Sequence, residues 1–153
     1  PDVAEFHQKA IELLEDPDPK VVLHAAYYLA RCGKIQGMEP LKKGLDDRSE
    51  RIRQFCVRGL GYLQDRRIGG LMIGSLSDVD AGVRRSASVW IRIRKEVAAA
   101  PRLREMLVSD PDLGLRAQAA IGLALLKDNP MQTLTLTLKP LVVGPELKSR
   151  GRI

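Results

Sequence analysis

Aromatic residues are scarce in this chain. They make up 4% of 153 residues, as two Phe, three Tyr and one Trp. The hydrophobic 44% is therefore mostly Leu, Ile, Val and Ala, which suits close packing of helices rather than a core of large rings. Cysteine is nearly absent as well. Cys32 and Cys56 form no C-x-x-C pair and no disulfide framework. Both fall on apolar stripes of expected helices and read as reduced, buried thiols, which fits a cytoplasmic protein. His7 and His24 have no acidic or thiol partner at a metal-ligand spacing, so no metal site is expected. No apolar run approaches the ~20 residues of a membrane-spanning helix, and membrane insertion is not expected. The N-terminus, PDVAEFHQKAIELLED, is amphipathic and acidic, unlike a signal peptide. It lacks an initial Met and already has the pattern of a repeat interior, so a piece of a longer protein is expected.

Catalytic signatures are missing too. There is no G-x-S-x-G, no G-x-x-x-x-G-K loop and no G-x-G-x-x-G. Gly59–Gly61 and Gly69–Gly70 are isolated glycine groups. Most acidic residues stand at expected helix starts or on polar faces, where the helix dipole explains them. No catalytic residues and no cofactor are expected, and the chain reads as a non-enzyme.

What is present is a repeat. Residues 16–29 are DPDPKVVLHAAYYL, 47–60 are DRSERIRQFCVRGL, 78–91 are DVDAGVRRSASVWI, and 110–123 are DPDLGLRAQAAIGL. The leading aspartates are spaced by about 31 residues, a period that signals a solenoid. In each copy an N-cap residue precedes an apolar anchor by three: Asp18, Ser49, Asp80 and Asp112 before Val21, Ile52, Val83 and Leu115. Helices are expected to start at Pro19, Glu50, Ala81 and Leu113 and to run about 14 residues. Apolar residues four and eight after the anchor complete one helical face, with a small residue (Ala25, Cys56, Ala87, Ala119) in the middle. A second helix follows, expected near 36–45, 66–76, 97–108 and 129–139. Its inward residues would be Leu41 and Leu45, Met72 and Leu76, Leu103 and Leu107, and Leu134 and Leu138. Residues 3–15 match this second helix, with Ile11 and Leu14 near its end.

Neither helix of a pair can bury its face alone, and stacking the pairs builds a continuous core. The expected fold is all-α: a right-handed α-α superhelix of about four and a half helix pairs. It divides into a half repeat 1–15, repeats 16–46, 47–77, 78–109 and 110–139, and a C-terminal cap, linker or disordered tail over 140–153. The alternating TLTLTL at 133–138 is a strand pattern, but its place in the repeat assigns it to a helix. Gly69, Gly70 and Gly74 each weaken the second helix of repeat two by ~1 kcal/mol.

The repeat resembles the short HEAT-like repeat family, the type also found in phycobilin lyases. Its loose pattern, D-x-D-x-x-V-R-x-x-A-A-x-A-L-G, is visible in DVDAGVRRSASVWI, DPDLGLRAQAAIGLA and DRSERIRQFCVRGLG. The resemblance implies a structural ladder between adjacent repeats, made by Asp47, Asp78 and Asp110 with Arg53, Arg84 and Arg116. Val22 breaks the pattern in repeat one. Trp90, standing where Gly59 and Gly122 stand in other repeats, must fill a gap or reach the surface. Some HEAT-like iron hydroxylases carry His-Glu dipeptides, and this sequence has none. A bilin-handling role is permitted by the resemblance, with no residue to support it.

The net charge of +6 is concentrated: residues 47–77 and 78–109 carry +3 each. Arg58, Arg85 and Arg92 fall on outward positions of the first helices. Arg66, Arg67, Arg102 and Arg104 fall at or near the second helices, on the inner curve. These arginines form a candidate face for an acidic protein partner. Nucleic acid is the alternative partner, disfavoured because Tyr27, Tyr28 and Phe55 are not interleaved with basic residues in the sequence. A further apolar surface is expected at Leu23 and Tyr27 in repeat one and at Ala117 and Ile121 in repeat four. Oligomeric state is open.

Overall fold

The computed structural model describes residues 2–126. Within them lie eight α-helices and no strand: α1 Val3–Glu12, α2 Pro19–Arg31, α3 Met38–Lys43, α4 Glu50–Gly61, α5 Arg67–Ser75, α6 Ala81–Arg94, α7 Ala100–Ser109 and α8 Leu113–Leu125. The four long repeat helices start at the four residues expected. Short 3-10 turns follow α1 and α3 and precede α3 and α7.

Capping chemistry explains these starts. Asp18 accepts the Lys20 N–H at 2.8 Å, Asp80 the Val83 N–H at 3.0 Å, and Asp112 the Leu115 N–H at 3.0 Å. Ser49 departs from the expectation, since its hydroxyl makes no capping bond. Glu50 in the first turn of α4 supplies negative charge to that helix start instead, a feature missing from α2, α6 and α8. Gly33, at φ +70°, follows α2 in the left-handed region that glycine adopts freely.

Helices α2, α4, α6 and α8 form one layer, each packed on the next. Helices α1, α3, α5 and α7 form the second, each packed on the first-layer helix that follows it. The core runs along the seam. Leu29, Leu41, Leu60, Met72, Leu76, Ile91, Leu103, Leu115 and Leu123 are all essentially inaccessible to solvent. Leu107 is buried too, while Ile11, Leu14 and Leu45 are half-buried. Despite its glycines α5 is formed, anchored by Ile68 and Met72 at 0% exposure.

Two expectations fail here. Cys32 is exposed: it is the C-cap of α2, one residue past the helix, and has left the apolar stripe. Leu23 and Tyr27 are half-buried rather than outward, because the surface they occupy is where α4 stacks on α2. Ala117 and Ile121 are exposed, as expected. The second helix expected at 129–139, the TLTLTL segment and the tail at 140–153 lie outside the described residues.

Candidate interaction surface

The ladder forms at two of the junctions. Arg53 Nε and Nη2 each donate to the Asp78 carboxylate at 2.8 Å, and Arg53 Nη1 donates to the Asp47 carbonyl at 2.8 Å. Arg84 repeats this one unit on, with two 2.9 Å bonds to Asp110 and bonds to the Asp78 and Val79 carbonyls. Each guanidinium thus clamps its own turn to the next one. Side-chain exposure is 12% and 13% for the first pair and 8% and 3% for the second, so both are largely desolvated. Each aspartate also accepts the N–H two residues on, from Asp80 and from Asp112.

These contacts tune the carboxyls. Hydrogen bonds from Arg53 hold Asp78 below the ordinary aspartate range, against an opposing push from burial. For Asp110 burial pushes upward most strongly, but the Arg84 bonds and the Asp112 N–H together leave it lowered.

The ends of the ladder differ from the expectation. The Asp47 carboxylate meets no guanidinium among the described residues, because the residue one repeat earlier is Val22; it instead accepts the Ser49 N–H at 2.8 Å. Arg116 Nε donates to the Leu107 carbonyl at 3.0 Å and meets no aspartate among the described residues.

Most of the basic residues read from the sequence already have partners. Arg67 is forked onto Asp65 at 2.9 and 3.0 Å, which together with the Arg67 N–H holds the Asp65 carboxyl at about 2. Arg102 donates to Glu105 at 2.6 Å and to the Leu76 carbonyl at 3.3 Å. Arg85 is exposed but bonded to Asp112 at 2.9 Å. Arg92 is not outward: it is half-buried, its stem lying over Gly122. Arg58, Arg66 and Arg104 are exposed.

Sequence order concealed a different cluster. Tyr27 stacks on Phe55 with ring centroids 4.4 Å apart, and Tyr62 meets it edge-on at 6.0 Å. Trp90 in turn meets Tyr62 edge-on at 4.8 Å. Arg31 lies over the Tyr62 ring at 5.8 Å, and both Arg31 and Arg58 lie close enough to act on the Tyr27 hydroxyl. Aromatic and basic side chains are therefore interleaved in space, although not along the chain. Trp90 fills a gap, as one of its two expected fates required: it covers Gly61 so closely that any Cβ there would overlap the indole. The signal that marks the cluster is periodicity. Tyr27 and Arg58 hold the same repeat position, as do Arg31 and Tyr62.

No group of three or more His, Cys, Asp or Glu side chains suited to a metal occurs among the described residues. The buried Cys56 thiol is pushed up to about 12 by desolvation and stays protonated. No described helix is long and apolar enough to cross a membrane.

Stacked helix pairs tied by repeating Arg–Asp rungs define an α-solenoid. The HEAT repeats family profile matches residues 38–124, more than half of the chain, and the chain belongs to that family. No curated protein matches the sequence. Among solved structures, the chain is similar to the complex of CpcE and CpcF of phycocyanin lyase from Nostoc sp. PCC7120. The TM-score is 0.58 with 22% identity, over 92% of this chain and 71% of that one. At that identity the likeness shows the fold alone.

Proposed function

We propose that this protein is a non-catalytic scaffold that docks an acidic partner protein through the basic surface of its two central repeats. HEAT solenoids present extended surfaces for binding, and this architecture fits such a role. The observation that carries the finer reading is the charge of +3 on each of 47–77 and 78–109. The rung arginines, Arg53 and Arg84, are matched internally by Asp78 and Asp110. Part of the surplus therefore resides on exposed side chains, among them Arg58 and Arg66. Such a field speeds encounter with an acidic partner and excludes basic ones.

The test is binding of labelled polyglutamate at near-physiological salt to wild type and to the double variant Arg66→Glu/Arg104→Glu. Saturable binding that the double variant loses supports the reading; unchanged binding removes this face. Nucleic acid bound through the same basic face is the second reading, favoured by the positive charge of 47–109. A mobility-shift titration with random duplex and single strands decides it, and no binding at tens of micromolar eliminates it.

A further inference from the structure

Four of the six aromatic residues lie in one unbroken strip across three repeats: Tyr27 on α2, Phe55 on α4, Tyr62 just past α4, and Trp90 on α6. In a chain so poor in rings this concentration needs a reason, and packing supplies only part of one. The inner sides of Tyr27 and Trp90 fill the space over Gly59 and Gly61. Yet the strip does not sink into the core. Tyr62 is 37% exposed, and the next residue in its row, Ile93, is 61% exposed.

Basic side chains border the same place. Arg53, Arg67, Arg84, Arg85 and Arg102 each meet a carboxylate. Arg31 and Arg58 are exposed and, among the described residues, neither has a carboxylate partner. Arg31 lies over the Tyr62 ring, and Arg58 is near enough to bear electrostatically on the Tyr27 hydroxyl. Rigid rings bordered by unmatched guanidiniums have the composition of a binding hot spot: large apolar area held with little rotamer freedom, and forked donors for carboxylates.

We propose that Tyr27, Arg31, Phe55, Arg58, Tyr62 and Trp90 form a docking strip for an acidic, apolar segment of a partner protein. Its carboxylates pair with Arg31 and Arg58, and its apolar side chains cover Tyr62 and the exposed edge of Trp90. Charge complementarity selects this occupant. Single-stranded nucleic acid fits less well, because base stacking needs open ring faces. Here the face of Tyr27 is taken by Phe55 and that of Tyr62 by Arg31. The strip rests on the scaffold reading and shares Arg58 with the basic surface, but it includes neither Arg66 nor Arg104.

The single tryptophan makes the test direct, since Trp90 emission reports on the strip itself. The full chain is titrated with a short peptide alternating Glu with Leu and Phe, with its Gln-for-Glu counterpart, and with oligothymidylate. The acidic peptide is expected to shift Trp90 emission saturably. Arg58→Glu, at an exposed site, should weaken that binding by about tenfold or more, while the Gln counterpart binds as weakly as the variant does to the acidic peptide. Arg66→Glu/Arg104→Glu should leave the strip's affinity unchanged, so failure of the polyglutamate experiment and failure here are separable. The proposal is overturned if emission shows no saturable change, if Arg58→Glu binds like wild type, or if oligothymidylate binds as tightly as the acidic peptide.

Discussion

The junction between repeats one and two is held differently from the junction between repeats three and four. At the first, Val22 stands where a rung arginine would be, and Tyr27 and His24 pack their rings on Phe55. At the later one, Arg84 reaches Asp110 through two 2.9 Å bonds and the pair is almost wholly buried. The same helix stacking is thus secured once by apolar rings and once by a desolvated ion pair. Burial of apolar rings is non-directional. A forked ion pair fixes register but carries a desolvation cost that only a complete pair offsets. The two junctions should therefore respond differently to mutation and to acid.

The largest difference is expected on breaking one side of the later rung. Asp110→Ala leaves the Arg84 guanidinium buried without its carboxylate and should cost about 3–5 kcal/mol. Urea unfolding followed by circular dichroism measures this. The double variant Arg84→Met/Asp110→Leu should lose clearly less, since no orphan charge remains. Equal losses in the two variants would show that the ion pair is not what secures this junction.

Acid offers a milder break. Asp78 and Asp110 both have folded-state values below the ordinary aspartate range. A carboxyl lowered on folding contributes stability that is fully present above its unfolded value of ~3.9. That contribution disappears as pH falls through the lowered folded values. Hydrogen exchange should accordingly show the turns at 78–80 and 110–112 losing protection below about pH 4, ahead of α2, which bears no rung. Uniform loss along the chain would contradict the contrast between junctions.

At the first junction, Phe55→Ala should cost about 1–3 kcal/mol, less than a fully buried phenylalanine because Phe55 is half-buried. The loss is read from denaturant midpoints at neutral pH, where Tyr27 and His24 lose the ring they pack on. A loss well below 1 kcal/mol would show that ring packing is not what secures this junction.

The sequence made the fold and the rungs readable for a physical reason: both repeat. Each N-cap aspartate and each anchor recurs at one spacing, so local capping and global stacking point to the same answer. The rung could be expected at Arg53 and Arg84 because Asp78 and Asp110 follow in register. What escaped was whatever depends on one repeat meeting a different one. Tyr27 looked outward from its own helix, and only the arrival of α4 covers it. The Tyr62–Trp90 contact joins residues 28 positions apart that share no repeat position. Cys32 was misplaced by one residue, since α2 ends at Arg31 and the stripe ends with it. The arginine assignments suffered most, because net charge counts side chains without showing which ones, like Arg67 and Arg102, are spent on neighbours.

The smallest effect is the most pointed test of the comparison. If the first junction lacks a rung only because Val22 occupies the donor position, then Val22→Arg should supply one. Asp47 already stands at the equivalent of Asp78 and Asp110, and among the described residues its carboxylate is engaged by the Ser49 N–H alone. The gain should be about 1 kcal/mol or less, because Asp47 is only half-buried and the new side chain must be ordered. Its signature is conditional: present at neutral pH, absent once the carboxyl is protonated, and abolished by Asp47→Asn. Thermal unfolding of Val22→Arg and Val22→Arg/Asp47→Asn at both pH values reads all three. A Val22→Arg chain less stable than wild type at neutral pH would mean that the aromatic packing of Tyr27, His24 and Phe55 excludes a rung, and that the two ways of joining repeats are alternatives rather than layers.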